Sequence, residues 1–311
     1  MWRLVLTVAL LWSCREPVDP VTSTSGVGGA GGSGGAPLPD PQPLTVLNWN
    51  LHNFVNAELD DPIASQEEVD PAWSTHRAAV GAILRGLDPD IAVLQEVEHQ
   101  HVLDELNDLE LDNRYVVVHV VDGNDPRGID IGVLSKLPVG HVASHKDDVF
   151  AASTDPGTTY QYSRDCVEVH LLYNGRPLAF LGVHFRAKSD DDPQKRLAEA
   201  EHTRAIADGI LAAAPATAIA ILGDFNDLPG SPAYVATVGV APDVYENAAD
   251  HVPEADRWTF DFNGSLELVD HQMTNPRLSG LIDAASVRIL HDAETAAASD
   301  HSPIFARYLV H

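Results

Sequence analysis

The strongest constraint on this chain is a train of short apolar runs, each about strand length and each bounded by Gly, Pro, Asp or Asn. They read "LTVLNWNL", "DIAVLQEV", "RYVVVHVV", "IDIGVLS", "CVEVHLLY", "PLAFLGVHF", "AIAILGDF", "LELVDHQMT", "AASVRIL" and "PIFARYLV". Runs of this length between turn-forming residues read as β-strands. Two segments carry helical spacing instead. "PAWSTHRAAVGAILRGL" has Pro71 near its start and stops at Gly86-Leu87-Asp88-Pro89; "QKRLAEAEHTRAIADGILAAA" ends before Pro215. Many strands with a few long helices bury their apolar faces by stacking in layers. The expectation is an α+β or α/β layered sandwich, two sheets with helices packed outside.

Upstream the composition changes. Residues 1–14, "MWRLVLTVALLWSC", have one Arg, a short apolar stretch and a Cys, too short to span a bilayer and of signal-peptide form. Leu11-Trp12-Ser13-Cys14 resembles the lipobox of bacterial lipoproteins, which makes Cys14 a candidate lipidation site and the cell envelope the expected location, with plain secretion as the alternative. Residues 15–43 are rich in Gly, Ser, Thr and Pro with little to bury, as expected of a flexible tether. The folded part is expected over residues 44–311, as a monomer held to the membrane only through its N-terminal lipid.

Acidic residues outnumber basic ones 46 to 19, a formal net charge of −27. Such a surface repels nucleic-acid phosphates, which argues against a DNA-coating protein. A phosphate substrate is not, because bound cations supply positive charge locally. The two cysteines, Cys14 and Cys166, build neither a disulfide framework nor a zinc cluster, and Cys166 is expected as a buried inert thiol.

Polar residues collect where apolar runs end. Asn50 follows "LTVLNW", Glu96 follows "IAVLQ", His184 follows "LAFLGV", Asp224 and Asn226 follow "AIAILG", Asp270 and His271 follow "LELV", and Ser299-Asp300-His301 precede the last run. A single Asp or Asn at a strand end is an ordinary turn residue. Jointly, these ends make an acidic, histidine-rich pocket if they meet at one edge of the sandwich. Period two would place Asp224 and Asn226 on one strand face and Asp227 on the other, serving the turn into Pro229-Gly230.

In chain order, "NWNLHNF", "LQEV", "RGIDIGVLSKLPV", "YSRD", "GVHFRAK", "ILGDFND", "LVDHQMT" and "SDHSP" resemble the endonuclease/exonuclease/phosphatase superfamily over essentially the whole folded part. The resemblance implies a four-layer α/β/β/α sandwich like deoxyribonuclease I, and a metal-dependent phosphoester hydrolase. It implies Asn50 and Glu96 as metal ligands, with Asp300 a candidate for a second metal position. Asp224 would activate water, and Asn226 would hydrogen-bond the phosphate or nucleophile. His301 would bind phosphate with Asp270 fixing its tautomer, Asp283 being the competitor for that pairing. His184 would stabilise phosphate or protonate the leaving group, and Arg164 would contact the scissile phosphate. Arg127 and Asp130 would be supporting. An oxygen-rich donor set favours Mg²⁺, with Mn²⁺ or Ca²⁺ as alternatives.

Substrate is less legible. "HFRAK", with Arg186 and Lys188 after the histidine, looks like the corresponding segment of bacterial extracellular nucleases, so nucleic acid is the leading expectation. A phosphomonoesterase or a sphingomyelinase/phospholipase C-like enzyme is the alternative. No aromatic hairpin for membrane insertion and no lysine-rich pocket for several phosphates is apparent. A binding protein that kept the fold without the activity is the reading from another class, disfavoured because the motif set is complete.

Overall fold

The computed structural model describes residues 40–311, so the expected signal segment 1–14 with Cys14, and the tether up to residue 39, lie outside the described residues. In chain order the strands are β1 (Gln42–Phe54), β2 (Ile91–Val97), β3 (Val117–Val121), β4 (Asp130–Ser135), β5 (His141–Ser144), β6 (Phe150–Ala152), β7 (Asp155–Tyr160) and β8 (Cys166–Tyr173). They continue as β9 (Arg176–His184), β10 (Ala218–Asp224), β11 (Glu246–Asn247), β12 (Phe260–Phe262), β13 (Ser265–Glu267), β14 (Asp270–Thr274), β15 (Arg288–Ile289) and β16 (Ile304–Val310). The helices used below are α1 (Trp73–Leu87), α2 (Gln100–Glu105), α3 (Pro193–Ala213) and α4 (Pro232–Val238). β1 starts two residues before Leu44, because Gln42 and Pro43 already pair with Val310 and Leu309. No helix among the described residues is long and apolar enough to cross a membrane.

Two six-stranded sheets form, ordered β15-β16-β1-β2-β4-β3 and β11-β14-β10-β9-β8-β5. Three apolar clusters separate four layers. Between the sheets lie Val46, Ile91 and Val93 against Val169, Phe180 and Leu222. Trp49, Leu94 and Leu134 pack outward on Trp73, Val80 and Leu84 of α1. Leu181, Ile219 and Ile221 pack outward on Ala200, Ala207 and Leu211 of α3 and Ala233 of α4. The expected α/β/β/α sandwich is the architecture observed, its layers set by period-two alternation along strands buried on both faces.

That alternation also positions the polar strand ends. On β1, Leu44 and Val46 face the opposite sheet, and Asn48 and Asn50 continue the same face. On β9, Leu178 and Phe180 are followed by Gly182 and His184; on β10, Ala218, Ala220 and Leu222 are followed by Asp224. The core between the sheets therefore turns polar at one edge. Asn48 ties the sheets together there, donating across to the carbonyls of His271 (3.1 Å) and Gly223 (3.4 Å) while Gln95 donates to its Oδ1 (3.0 Å).

Candidate active site

Register brings three of the polar ends side by side. β10 runs parallel to β9 with Asp224 opposite His184, and antiparallel to β14 with Asp224 opposite Asp270. Only a glycine fits before Asp224. Gly223 has φ +154°, and a Cβ there would lie 1.8 Å from the carbonyl oxygen of Val183.

Glu96 reaches the pocket by a different device. Simple alternation would send it outward with Leu94. Between Gln95 and Val97 the pairing with β4 advances only from Ile131 to Asp130, so Glu96 is the extra residue of a bulge, at φ +62°. Its carboxylate then accepts from Asn53 N (2.7 Å) and Asn50 Nδ2 (3.3 Å). Asn50 Nδ2 also donates to Asp224 Oδ2 (3.1 Å), joining the two sheets at the site.

Asn226 departs from the expected strand face. β10 ends at Asp224, and Asn226 sits at φ +51° with its backbone N–H donating to Asp224 Oδ1 (2.7 Å). An Asx turn, in which the Asp side chain mimics a backbone acceptor, replaces period two. The Asn226 amide donates to Phe185 O (3.1 Å) and borders the cleft beside His301.

His301 Nδ1 lies 2.7 Å from Asp270 Oδ2, while its Nε2 stands 4.0 Å from Asp224 Oδ2. Asp283 pairs with Arg307 instead. Ser299 fixes the turn, donating to Asn50 O (2.7 Å) and accepting from His301 N (3.0 Å). Burial works against a charged imidazole here. Asp270, by attraction and by its hydrogen bond, outweighs it with help from Asp224 and Asp300 and pushes the His301 pKa up to about 10. Burial, then the charge of Asp270, raises Asp224 to about 7.

His184 is a neutral imidazole. Burial, then the cations Arg164 and His301, holds it well below its ordinary value, and its Nε2 lies 3.5 Å from Asp224 Oδ2 and 4.0 Å from Glu96 Oε1. A group so reluctant to take a proton is poorly matched to the general-acid half of the expectation.

Arg164 is buried rather than open to the cleft. Its Nε lies 2.9 Å from Asp125 Oδ2 and its Nη1 donates to Phe185 O (3.1 Å), the carbonyl Asn226 also uses. Asp125 also takes Arg127, whose Nη1 is 3.5 Å from Asn53 Oδ1. Asp130 stays out of the pocket: buried and accepting from Gly123 N (2.7 Å), it has a pKa raised by burial to about 8. Asp300, expected at a second metal position, belongs to neither ligand group among the described residues. Its ion pair among the described residues is with His52 (3.5 Å), and it lines a separate cleft of about 450 Å³ with Glu68 and His76. Asp227 turns away to Arg196 (3.1 Å), and Lys188 pairs with Glu267 (3.1 Å).

Sequence reasoning missed three supports. Glu199 of α3 accepts from Ser163 N and Arg186 N, both at 2.6 Å, so one buried carboxylate holds the loops that carry Arg164 and follow His184. Asp125 had no signal beyond a "DPRG" turn. The third is an aromatic hairpin, β12–β13, whose Phe260 ring packs 4.8 Å from the His301 ring and whose Phe262 is 57% exposed. Its turn, Asn263-Gly264 at φ +54° and +88°, was legible as the "NG" hairpin signal. With Ala187, Val269, Asn226 and His301 it walls a cleft of about 540 Å³.

The donors fit a hard divalent cation. Glu96, Asp224 and Asp270 bring three carboxylates against one imidazolium and no thiolate, and ligand atoms of Asp224, Asp270 and His301 lie within 4.8 Å of one another. Glu96 with Asn50, or the Asp224 group, could hold it; Asn50 offers oxygen only with its amide turned over, since its Oδ1 now accepts from His52 N (2.9 Å). Such an ion supplies charge stabilisation at a phosphoryl oxygen. The chain's own groups are placed so that an ionised Asp224 could take a proton from water and a cationic His301 could bind a phosphate oxygen, with Asn226 bordering the same cleft as His301.

The model of the Endonuclease/Exonuclease/phosphatase family matches residues 45–268. Among solved structures, an endonuclease/exonuclease/phosphatase family protein from Bacteroides thetaiotaomicron superposes with TM-score 0.62 at 17% identity, covering 87% of this chain and 99% of that one. The human Nocturnin catalytic domain with bound sulfate gives 0.61 at 16% identity, covering 86% and 94%. Truncated Caenorhabditis elegans TDP2 gives 0.58 at 17% identity, covering 86% and 98%. At these identities the likeness is one of fold. No curated protein matches by sequence.

Proposed function

Because the chain belongs to the endonuclease/exonuclease/phosphatase family, whose members are phosphoester hydrolases, we propose that it is a divalent-metal-dependent phosphodiesterase that cuts nucleic acid. The observation that carries this reading is the row His184, Asp224, Asp270 across three adjacent strands, with a charged His301 against its end. A base, a phosphate-binding cation and an oxygen-rich metal site are what in-line attack of water on a phosphodiester requires. Mg²⁺ is the ion proposed, with Mn²⁺ or Ca²⁺ as substitutes. Incubation with plasmid DNA and Mg²⁺ tests it: EDTA-sensitive cleavage lost in Asp224→Ala is expected, and no such cleavage, or equal cleavage by the variant, refutes it.

A second reading has its own observation. The exposed Phe262 and Leu266 on the β12–β13 hairpin, beside a largely apolar cleft at His301, suit a lipid or other small ester with an apolar substituent. Vesicles of phosphocholine lipid and a panel of small phosphomonoesters, run beside DNA on one preparation, separate the two.

The N-terminal segment supports placement at the bacterial cell envelope through lipid on Cys14, with a monomeric domain on a Gly/Ser/Pro tether. Labelled palmitate incorporated by the parent and not by Cys14→Ser is the expected result; secretion without label leaves plain export as the answer.

A further inference from the structure

The end of β1 and the loop that follows it cap two glutamates, Glu96 and Glu98. Asn53 N donates to Glu96 Oε2 (2.7 Å), and three residues later Asn56 N donates to Glu98 Oε2 (3.0 Å). The Glu98 side chain is fully buried, and its other oxygen, Oε1, has no hydrogen-bond partner among the described residues. Buried carboxylate oxygens are normally satisfied by donors or by cations. The carboxylate belongs to a group of metal-ligand side chains, in which His99 now hydrogen-bonds Asp60. His99 Nε2 lies 3.7 Å from Glu98 Oε2 and 2.9 Å from Asp60 Oδ1. Asn56 Nδ2 steadies Asp60 with 3.2 Å contacts to both its oxygens.

We propose that Asp60, Glu98 and His99 form a second cation site, apart from the catalytic pocket, for a divalent transition ion of the Mn²⁺ or Zn²⁺ class. One ligand atom from each residue lies within 4.8 Å of the others. Ligands about 2.0–2.2 Å from a shared ion stand roughly 3–3.5 Å apart, so a small closure seats one. The donor set decides the class. Ca²⁺ takes about six to eight oxygens, and Mg²⁺ keeps most of its water, whereas an imidazole with two carboxylates suits Mn²⁺ or Zn²⁺. Asp60 is exposed, which gives the ion a way in, while the buried Glu98 closes the inner side. The bound ion holds the 53–60 loop, and with it the amide that Asn53 gives to Glu96.

Mn²⁺ bound per chain, counted by electron paramagnetic resonance as free Mn²⁺ is raised, tests this without reference to activity. The parent is expected to bind one more Mn²⁺ than Asp60→Asn, a change in a part-exposed loop, and one more than Glu98→Gln, each checked for native circular dichroism. Glu96→Gln removes a different ion, so Asp60→Asn combined with Glu96→Gln binds fewer than either alone. An Asp60→Asn protein that binds as many as the parent overturns the site. So does a double variant that binds no fewer than Glu96→Gln alone, because the ion is then the catalytic one.

Discussion

Asp270 holds Nδ1 of His301 at 2.7 Å and leaves the opposite nitrogen, 4.0 Å from Asp224, to face the pocket. One carboxylate thus fixes the orientation of the ring and its charge. Asp270→Asn keeps the shape and removes the charge, so kcat on a phosphodiester should fall about 10²–10⁴-fold with little change in KM. His301→Ala should cost a similar amount, and the two together little more, because they act as one unit. Additive losses in the double variant would mean that Asp270 acts elsewhere.

Asp224 and His301 together set the pH profile expected of the proposed reaction. Asp224 must be ionised to take a proton from water, and its pKa stands near 7, so kcat/KM rises with pH up to that value. His301 must stay protonated to bind phosphate, and its pKa near 10 puts the falling limb there. Rising Mg²⁺ should move the acid limb to lower pH, since a neighbouring cation favours the carboxylate. In Asp270→Asn the alkaline limb should move down, because the largest force opposing deprotonation of His301 is gone. An alkaline limb that stays in place in that variant would sink this assignment.

Gly223 offers a test of the fold rather than the chemistry. A Cβ would sit 1.8 Å from Val183 O, and φ is +154°, where other residues are strained. Gly223→Ala must push β10 from β9 at the register that places Asp224 beside His184. The expected loss is about 3 kcal/mol or more in urea denaturation, and a loss under about 1 kcal/mol would show that the strands yield easily.

The layers were legible because period-two alternation is local: Leu44, Val46 and Asn48 declare their face from neighbours alone. Asp224 and His184 were legible for the same reason, each ending a buried run, whereas Asp270, expected to end the run "LELV", instead begins β14 after the exposed β13. Three features depend on geometry that spacing does not encode. Glu96 enters through a bulge, Asn226 through an Asx turn, and Asp125 matters because the distant Arg164 joins its near neighbour Arg127 on it. The buried Arg164 shows the converse, since its motif suggested contact with substrate while its position serves Asp125 and Phe185. The "NG" turn of the aromatic hairpin was readable; what was not readable is that folding lays Phe260 against His301.

Far from the pocket, β8 and α3 share a chain of histidines and acids whose pH dependence can be worked out. His145 Nε2 lies 2.9 Å from Glu168 Oε2 and its Nδ1 lies 3.0 Å from Asp148 Oδ2. His170 also bonds Glu168, and His202 Nε2 reaches Asp148 Oδ2 at 2.9 Å. The hydrogen bond from His145, then that from His170, lowers Glu168 from 4.5 to about 2. The hydrogen bond to Glu168, against burial and with Asp148 assisting, raises His145 above 6.5. A lowered carboxylate stabilises the fold above its unfolded pKa and loses that contribution as pH falls toward its folded one; a raised histidine stabilises below its unfolded pKa and loses it as pH rises past its folded one. Both contributions are therefore complete only between 4.5 and 6.5. Glu168→Gln should lower the melting temperature most inside that window and progressively less above and below it. Melting curves of parent and variant across pH check this, and a difference that stays constant from acid to alkaline pH would show that Glu168 contributes packing rather than charge.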